Sequence, residues 1–146
     1  MERCGADGLA RLRIVVVDAR PAYVCEFKDS LLKVIYADDG ANAPSLERDA
    51  IRSMVERKTA KPIAFMEQSD YDQWTVHQRF DAHRPLYRLD LGDSLGTHLY
   101  ISKSTGELLQ RTTKSQRFWN YIGSVPHWIY PTILRKNWVL WDGFVW

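Results

Sequence analysis

Gly92, Asp93, Ser94 and Leu95 stand directly after the apolar stretch "LYRLDL". A Gly-Asp-Ser-Leu tetrapeptide carries the nucleophile in one large class of serine esterases and lipases. Such chemistry needs a histidine to take the serine proton and an acid to hold that histidine. In those hydrolases the motif leads into a helix, and an Asp-x-x-His pair follows near the C-terminus. Here the β-rich "THLYIS" follows, and no Asp-x-x-His lies downstream. The four histidines, His77, His83, His98 and His127, are scattered. His77 and His98 read as strand residues facing away from Trp74 and Leu99. Two imidazoles on neighbouring strands could approach a metal, but no third ligand accompanies them, and both read as surface histidines. Asp38–Asp39 and Asp70/Asp72 lack calcium-loop spacing and read as solvated loop acids. There is no H-E-x-x-H, C-x-x-C, P-loop or G-x-G-x-x-G motif. No catalytic, metal or cofactor-binding residue is assigned, no cofactor is expected in these residues, and the chain is not expected to be an enzyme in itself.

The role of Ser94 is set by an internal repeat. Shifting the chain by 64 residues aligns "RPAYVCEFKDSLLKVIY" (20–36) with "RPLYRLDLGDSLGTHLY" (84–100) without a gap, with seven of 17 positions identical. Each copy reads as a β-hairpin. Tyr23, Cys25 and Phe27 alternate with polar neighbours, and Tyr87, Leu89 and Leu91 repeat that apolar face. The first copy has Lys28 where the second has Gly92, yet keeps Asp-Ser-Leu, so the tripeptide belongs to the turn. Ser94 is therefore read as a turn residue, and Cys25, matched by Leu89, as a small buried hydrophobe. Two cysteines, Cys4 and Cys25, do not decide a redox compartment. Arg20 and Arg84, repeated at the two strand entrances, are expected to pair with local carboxylates or carbonyls.

The remaining elements follow from pattern. "APSLERDAIRSMVERKTAKP" (43–62) reads as a helix capped by Ser45, with Leu46, Ala50, Ile51, Met54 and Val55 as its stripe. "PIAFMEQ" and "YDQWTVHQRF" read as strands, the second carrying Trp74, Val76, Gln78 and Phe80 on one side. The hairpin and a last strand, "ELLQR", complete an antiparallel sheet with a helix on one face. By the offset of 64, the matching helix of the first unit would lie before Met1, so that unit is expected to be truncated. "KSQRFWNYIGSVPHWIY" (114–130), with Phe118, Trp119, Ile122 and Val125 as its stripe, is a candidate to cover its sheet.

Charge and aromatics are unevenly spread. Residues 1–110 carry 15 Lys/Arg against 17 Asp/Glu, whereas 111–136 hold five basic residues and no acid. A net charge of +2 is too small for a nucleic-acid footprint. Five of the six tryptophans fall from Trp119 onward. This composition suits either a membrane–water interface or an aromatic-rich core helix. No apolar run is long enough to cross a bilayer and no secretory leader is evident.

Three stretches together, "RPLYRLDLGDSLGTHLYISKSTGELLQR", "SQRFWNYIGSVPHWIY" and "LRKNWVLWDGFVW", resemble the PepSY superfamily, specifically the PepSY-associated transmembrane proteins of bacteria. The resemblance covers about residues 20–146. It implies tandem PepSY-like units on the extracytoplasmic (periplasmic) side of the cytoplasmic membrane, held between transmembrane helices, with 138–146 as the entry into one. Arg135 and Lys136 beside such a helix would by charge mark the cytoplasmic side; the longer motif outweighs them.

The expectation is thus an α+β fold: a truncated first PepSY-like repeat (9–42), a second repeat (43–112), and an amphipathic aromatic and basic juxtamembrane segment (113–146). Its expected role is non-catalytic binding or regulation, either restraining a peptidase or taking a peptide at an exposed strand edge. The alternative is the periplasmic domain of an iron-uptake reductase acting on ferric siderophores, whose haem-ligating histidines would lie in membrane helices. The expected interaction and membrane-interface residues are Trp119, His127, Trp128, Tyr130, Arg135, Lys136, Trp138 and Trp141. His127 is weighed as an interface residue near a membrane cofactor or partner and as a polar anchor beside Trp128, the latter preferred. Partners are the membrane, a peptide or peptidase, a ferric siderophore, and a second copy that hides an uncovered sheet face; no nucleic acid is expected.

Overall fold

The computed structural model describes residues 8–29, 31–127, 132 and 137–145. The fold is α+β, as expected, with two antiparallel sheets and four helices among the described residues. The first sheet has the order β1 (Leu9–Val17), β2 (Arg20–Phe27), β3 (Leu32–Tyr36). Strand β1, rich in β-branched residues, pairs with β2 as far as Val17↔Arg20. The two residues between, Asp18 and Ala19, both take the left-handed conformation (φ 49° and 62°), the backbone that matches a two-residue turn to the strands' twist. The repeat gave no hint of β1, because it begins at Arg20.

Helix α1 (Arg48–Thr59) leads to the second sheet, a meander of β4 (Phe65–Ser69), β5 (Leu86–Asp90), β6 (His98–Ser102) and β7 (Leu108–Thr112). Three short helices follow: α2 (Lys114–Ile122), α3 (Ser124–His127) and α4 (Trp138–Val145). Among the described residues no helix is long and apolar enough to cross a membrane.

One cluster joins the sheets. It combines Ala22, Val24, Val34 and Tyr36 of the first sheet with Ile51 and Val55 of α1 and Met66, Tyr87, Leu89, Leu99 and Ile101 of the second. Burying each such aliphatic side chain stabilises the fold by about 1.5–3 kcal/mol before entropy is counted. The helix stripe is as expected, but the start is not: the cap position is Glu47, whose side chain makes no capping bond. The approach is held instead by Leu46 N–H donating to Lys103 O at 2.8 Å and by the Arg48 guanidinium on Met66 O. Gly106, at φ 70°, lets Leu46 pack closely; a Cβ there would stand 2.8 Å from Leu46 Cδ1.

The inward face of the first hairpin differs from expectation. Ala22 and Val24 point to the core, while Tyr23 is 38% exposed. Across β1 the same outward face carries Ile14 and Val16, 69% and 71% exposed. In the second hairpin the residues aligned with Tyr23 and Cys25, Tyr87 and Leu89, are the inward ones. Cys25 is buried as expected, but it is disulfide-bonded and so acts as more than a small hydrophobe.

The other face of the second sheet is also covered. Leu86 and Tyr100 pack with Phe80, Trp74 and Leu109 in a smaller cluster. The segment that supplies Phe80 and Trp74 is not the expected strand: it is a turn followed by a 3₁₀ helix, Gln78–His83. Local side-chain bonds decide this, as polar residues can offer the backbone an alternative to a ladder. Asp72 Oδ1 accepts from Trp74 N–H at 3.0 Å, and His77 Nδ1 accepts from Arg79 N–H at 3.1 Å at the helix start.

The two hairpins also differ in register. Glu26 pairs with Leu32, and Ala22 with Tyr36. Asp90 pairs with His98, and Leu86 with Ser102 rather than with Tyr100. The second turn is therefore two residues longer.

Candidate functional site: a cationic cleft

Helix α2 is bolted to the second sheet by side chains the sequence places at its start. Thr113 and Gln116 form a capping box: Gln116 N–H donates to Thr113 Oγ1 at 3.3 Å, and Thr113 N–H to Gln116 Oε1 at 2.9 Å. Arg117 donates to Thr112 Oγ1 at 2.9 Å and to Gly96 O at 2.8 Å. Lys114 N–H reaches Leu95 O at 3.0 Å. The turn "GDSLG" is thus the seat of a helix. Its Asp93 carboxylate accepts from Thr97 N–H at 2.8 Å and Thr97 Oγ1 at 2.9 Å, bonds that hold its pKa below the usual carboxylate range. Ser94 is exposed within the turn.

On the far side, the loop from Asp70 to His83 is fixed by buried polar partners. Asp72 Oδ2 accepts from Tyr100 Oη at 3.1 Å and Arg88 Nη1 at 3.2 Å. Asp72 is therefore a structural anion with a side chain only 10% exposed, not the solvated acid expected from sequence. Burial, then the Asp72 carboxylate, pushes the Tyr100 phenol up. Arg84 donates to Asp81 at 2.9 Å and to Thr75 O at 2.6 Å, and lies 3.9 Å over the Tyr71 ring. Arg20 does likewise, bonding Asp38 and Asp39 and lying 3.7 Å over Tyr36. Both arginines play the local pairing role their repetition suggested.

Between this loop, the end of β7, α2 and α4 lies a cavity of about 600 Å³. Trp74, Trp141 and Phe80 supply apolar wall, and Gln73, Gln110 and Asn120 supply amides. Among the described residues three guanidinium groups, Arg79, Arg111 and Arg117, line it, and no carboxylate does. Arg79 donates to Gln110 Oε1 at 3.2 Å and lies 4.6 Å over the Phe80 ring. Among the described residues none of the three forms an ion pair, in contrast to Arg13, Arg20, Arg84 and Arg88, each of which holds a carboxylate. Another cavity of about 520 Å³ is lined by Arg11, Arg13, Glu26, Arg79 and His83, and there a carboxylate is present, Glu26, already held by Arg13.

The expected site residues are only partly gathered here. Trp141 lines the cleft. Trp119 is 66% exposed on α2, edge-on to Phe118 at 5.4 Å, and His127 is exposed at the end of α3. Trp138 opens α4. Trp128, Tyr130, Arg135 and Lys136 lie outside the described residues. Helix α2 does not cover the first sheet: Phe118, Trp119 and Ile122 face solvent, and of its expected stripe only Val125 is buried. His77 is a helix cap and lies on no strand, so the proposed approach to His98 does not arise. His98 Nε2 lies 3.5 Å from Asp90 Oδ2. Among the described residues no group of three or more His, Cys, Asp or Glu could hold a metal. The sequence signal for the cleft was the acid-free run from Arg111, read there as a membrane flank.

No known family model, curated protein or solved structure matches the chain.

Proposed function

We propose that the chain is a non-catalytic, PepSY-like binding and regulatory domain of a bacterial membrane protein, standing on the extracytoplasmic side against the membrane surface. The observation that supports it is the outward apolar face of the C-terminal helices. Helices α2 and α4 border one cleft, and both turn large apolar side chains to solvent: Phe118, Trp119 and Ile122 from one, Val139 and Leu140 from the other. A bare surface of this kind costs solubility unless a partner or a bilayer interface takes it up, and amphipathic aromatic rings favour the headgroup level. Strand β4, at the edge of its sheet with Phe65 half exposed, is the place where an extended peptide or a peptidase segment would add.

Flotation with zwitterionic phosphatidylcholine vesicles tests the reading. The chain is expected to co-float, and Trp119→Ser with Ile122→Ser to release it while leaving the circular dichroism unchanged. A chain that stays in the dense fraction, or a double variant that floats as well as the parent, sinks the membrane-facing reading.

A further inference from the structure

We propose that the cleft between the Asp70–His83 loop, β7, α2 and α4 is a binding site for a multiply charged oxyanion, a ligand bearing carboxylate or phosphate groups. The inference deepens the binding-domain reading by naming the ligand class.

The positive charge lining this cavity is left without a counter-charge among the described residues. Elsewhere four arginines are neutralised by carboxylates, while Arg11, Arg48, Arg52 and Arg57 form no ion pair among the described residues and line no part of this cleft. Arg13 holds Glu26 and Glu107, Arg20 holds Asp38 and Asp39, Arg84 holds Asp81, and Arg88 holds Glu67 and Asp72. At the cleft Arg79 and Arg117 are matched with neutral oxygens, Gln110 Oε1 for the first and Thr112 and Gly96 for the second, and Arg111 forms no ion pair among the described residues, its charge felt only at longer range by Asp93 outside the lining. Three cations converging on one concavity, with no acid in its described lining, create a positive potential that a lined cleft concentrates. Guanidinium forks suit planar or tetrahedral oxyanions because two N–H groups can meet two oxygens at once. Arg79 and Arg111 stand exposed at the rim, free to reorient onto a ligand, whereas Arg117 is half-buried and tied to the β5–β6 turn. The amides of Gln73 and Asn120 add neutral donors, and Trp74 and Trp141 offer apolar wall to the ligand's carbon skeleton. A cavity of about 600 Å³ is within the range of small-molecule sites. The oxyanion could come free in solution or as the headgroup of an anionic lipid, since α2 and α4 also carry the apolar surface described above.

Intrinsic tryptophan fluorescence reads the site directly, because Trp74 and Trp141 line it. The full chain is titrated with citrate, with pyrophosphate and with phosphatidylglycerol vesicles, against sodium chloride at matched ionic strength. A saturable change is expected, and Arg79→Gln with Arg111→Gln should weaken it at least tenfold, about 1.4 kcal/mol, with the melting temperature unchanged. Asn120→Asp, which puts a carboxylate into the lining with little change in volume, should weaken it too and serves if the double variant misfolds. Saturation by citrate or pyrophosphate marks a free ligand; saturation by the vesicles alone, lost in these variants, marks a headgroup. No saturable response to any of the three, or one that both variants leave intact, overturns the proposal. Flotation on zwitterionic vesicles would persist in that case, so the two readings fail separately.

Discussion

Arg13 of β1 donates to Glu107 at 2.5 Å across 94 residues of sequence, and its other guanidinium nitrogens reach Glu26. One cation thus ties the first sheet to the turn that opens β7. The pair is partly shielded, with side chains 22% and 26% exposed, so it should be worth more than a surface pair but less than a buried one. Glu107→Gln keeps the shape and removes the charge. It is expected to cost about 1 kcal/mol in urea unfolding, and to do so less at high salt. An unchanged midpoint would mean that apolar burial alone joins the sheets.

His83 makes stability depend on pH. Its ring is buried, with Nδ1 3.3 Å from Ser102 Oγ. Burial pushes its pKa down and Arg13 adds to that, against the pull of Glu107 and Glu26. His98 is lowered too, first by burial and then by Arg117, against Asp90 and Asp72. A folded pKa below the unfolded value, about 6.5, means that the unfolded chain takes up protons first as pH falls. The stabilisation is complete above about pH 6.5 and is lost below it. Melting temperature should therefore fall from pH 7 to pH 5, with a shallower slope in His83→Gln. A slope that His83→Gln leaves unaltered would assign the effect elsewhere.

Gly106 holds the loop before α1 against the second sheet. Alanine there faces both a left-handed backbone and Leu46 Cδ1 at 2.8 Å. Gly106→Ala is expected to destabilise by about 1–3 kcal/mol. Gly143→Ala, where a Cβ meets nothing within 4 Å, should be neutral or stabilising by up to about 1 kcal/mol, since a helix interior gains from alanine. Thermal unfolding of the two variants side by side gives the contrast; equal melting temperatures would refute the packing argument.

The outward face of the first sheet should bring two copies together. Ile14 and Val16 lie next to each other on one face of an edge strand, with Tyr23 beside them. Static light scattering is expected to show a mass that rises with concentration, and Val16→Lys to return the monomer. A monomer at every concentration for the parent chain would dismiss this contact.

What could be read from the sequence was what one segment decides alone. The α1 stripe of Ile51 and Val55 needs only a 3.6 period, and the inward Tyr87 and Leu89 only a period of two. The start of α1 escaped because tertiary bonds from Lys103 and Met66, rather than Ser45, fix it. Residues 71–80 alternate like a strand, but Asp72 and His77 spend their side chains on the local backbone. The inward face of the first hairpin was ambiguous because both of its faces are apolar, Ala22 and Val24 against Tyr23 and Cys25. The cleft was hidden for another reason: Arg79, Arg111 and Arg117 come from three elements, and only the meander and the capped helix place them around one space.

The longer β5–β6 turn obeys a rule of parity. The two hairpins hold the same number of residues from Ala22 to Tyr36 and from Leu86 to Tyr100, so its length comes from a pairing register displaced by two. A displacement of one would have turned β6 over relative to β5, sending Leu99 and Ile101 to the side of Phe80 and Tyr100 to the core. A displacement of two keeps the faces of the paired strands matched and lengthens the loop, from which Gly96 and Leu95 offer the carbonyls that seat α2. A hairpin can thus acquire a docking post by sliding its strands past each other, without disturbing the sheet behind it.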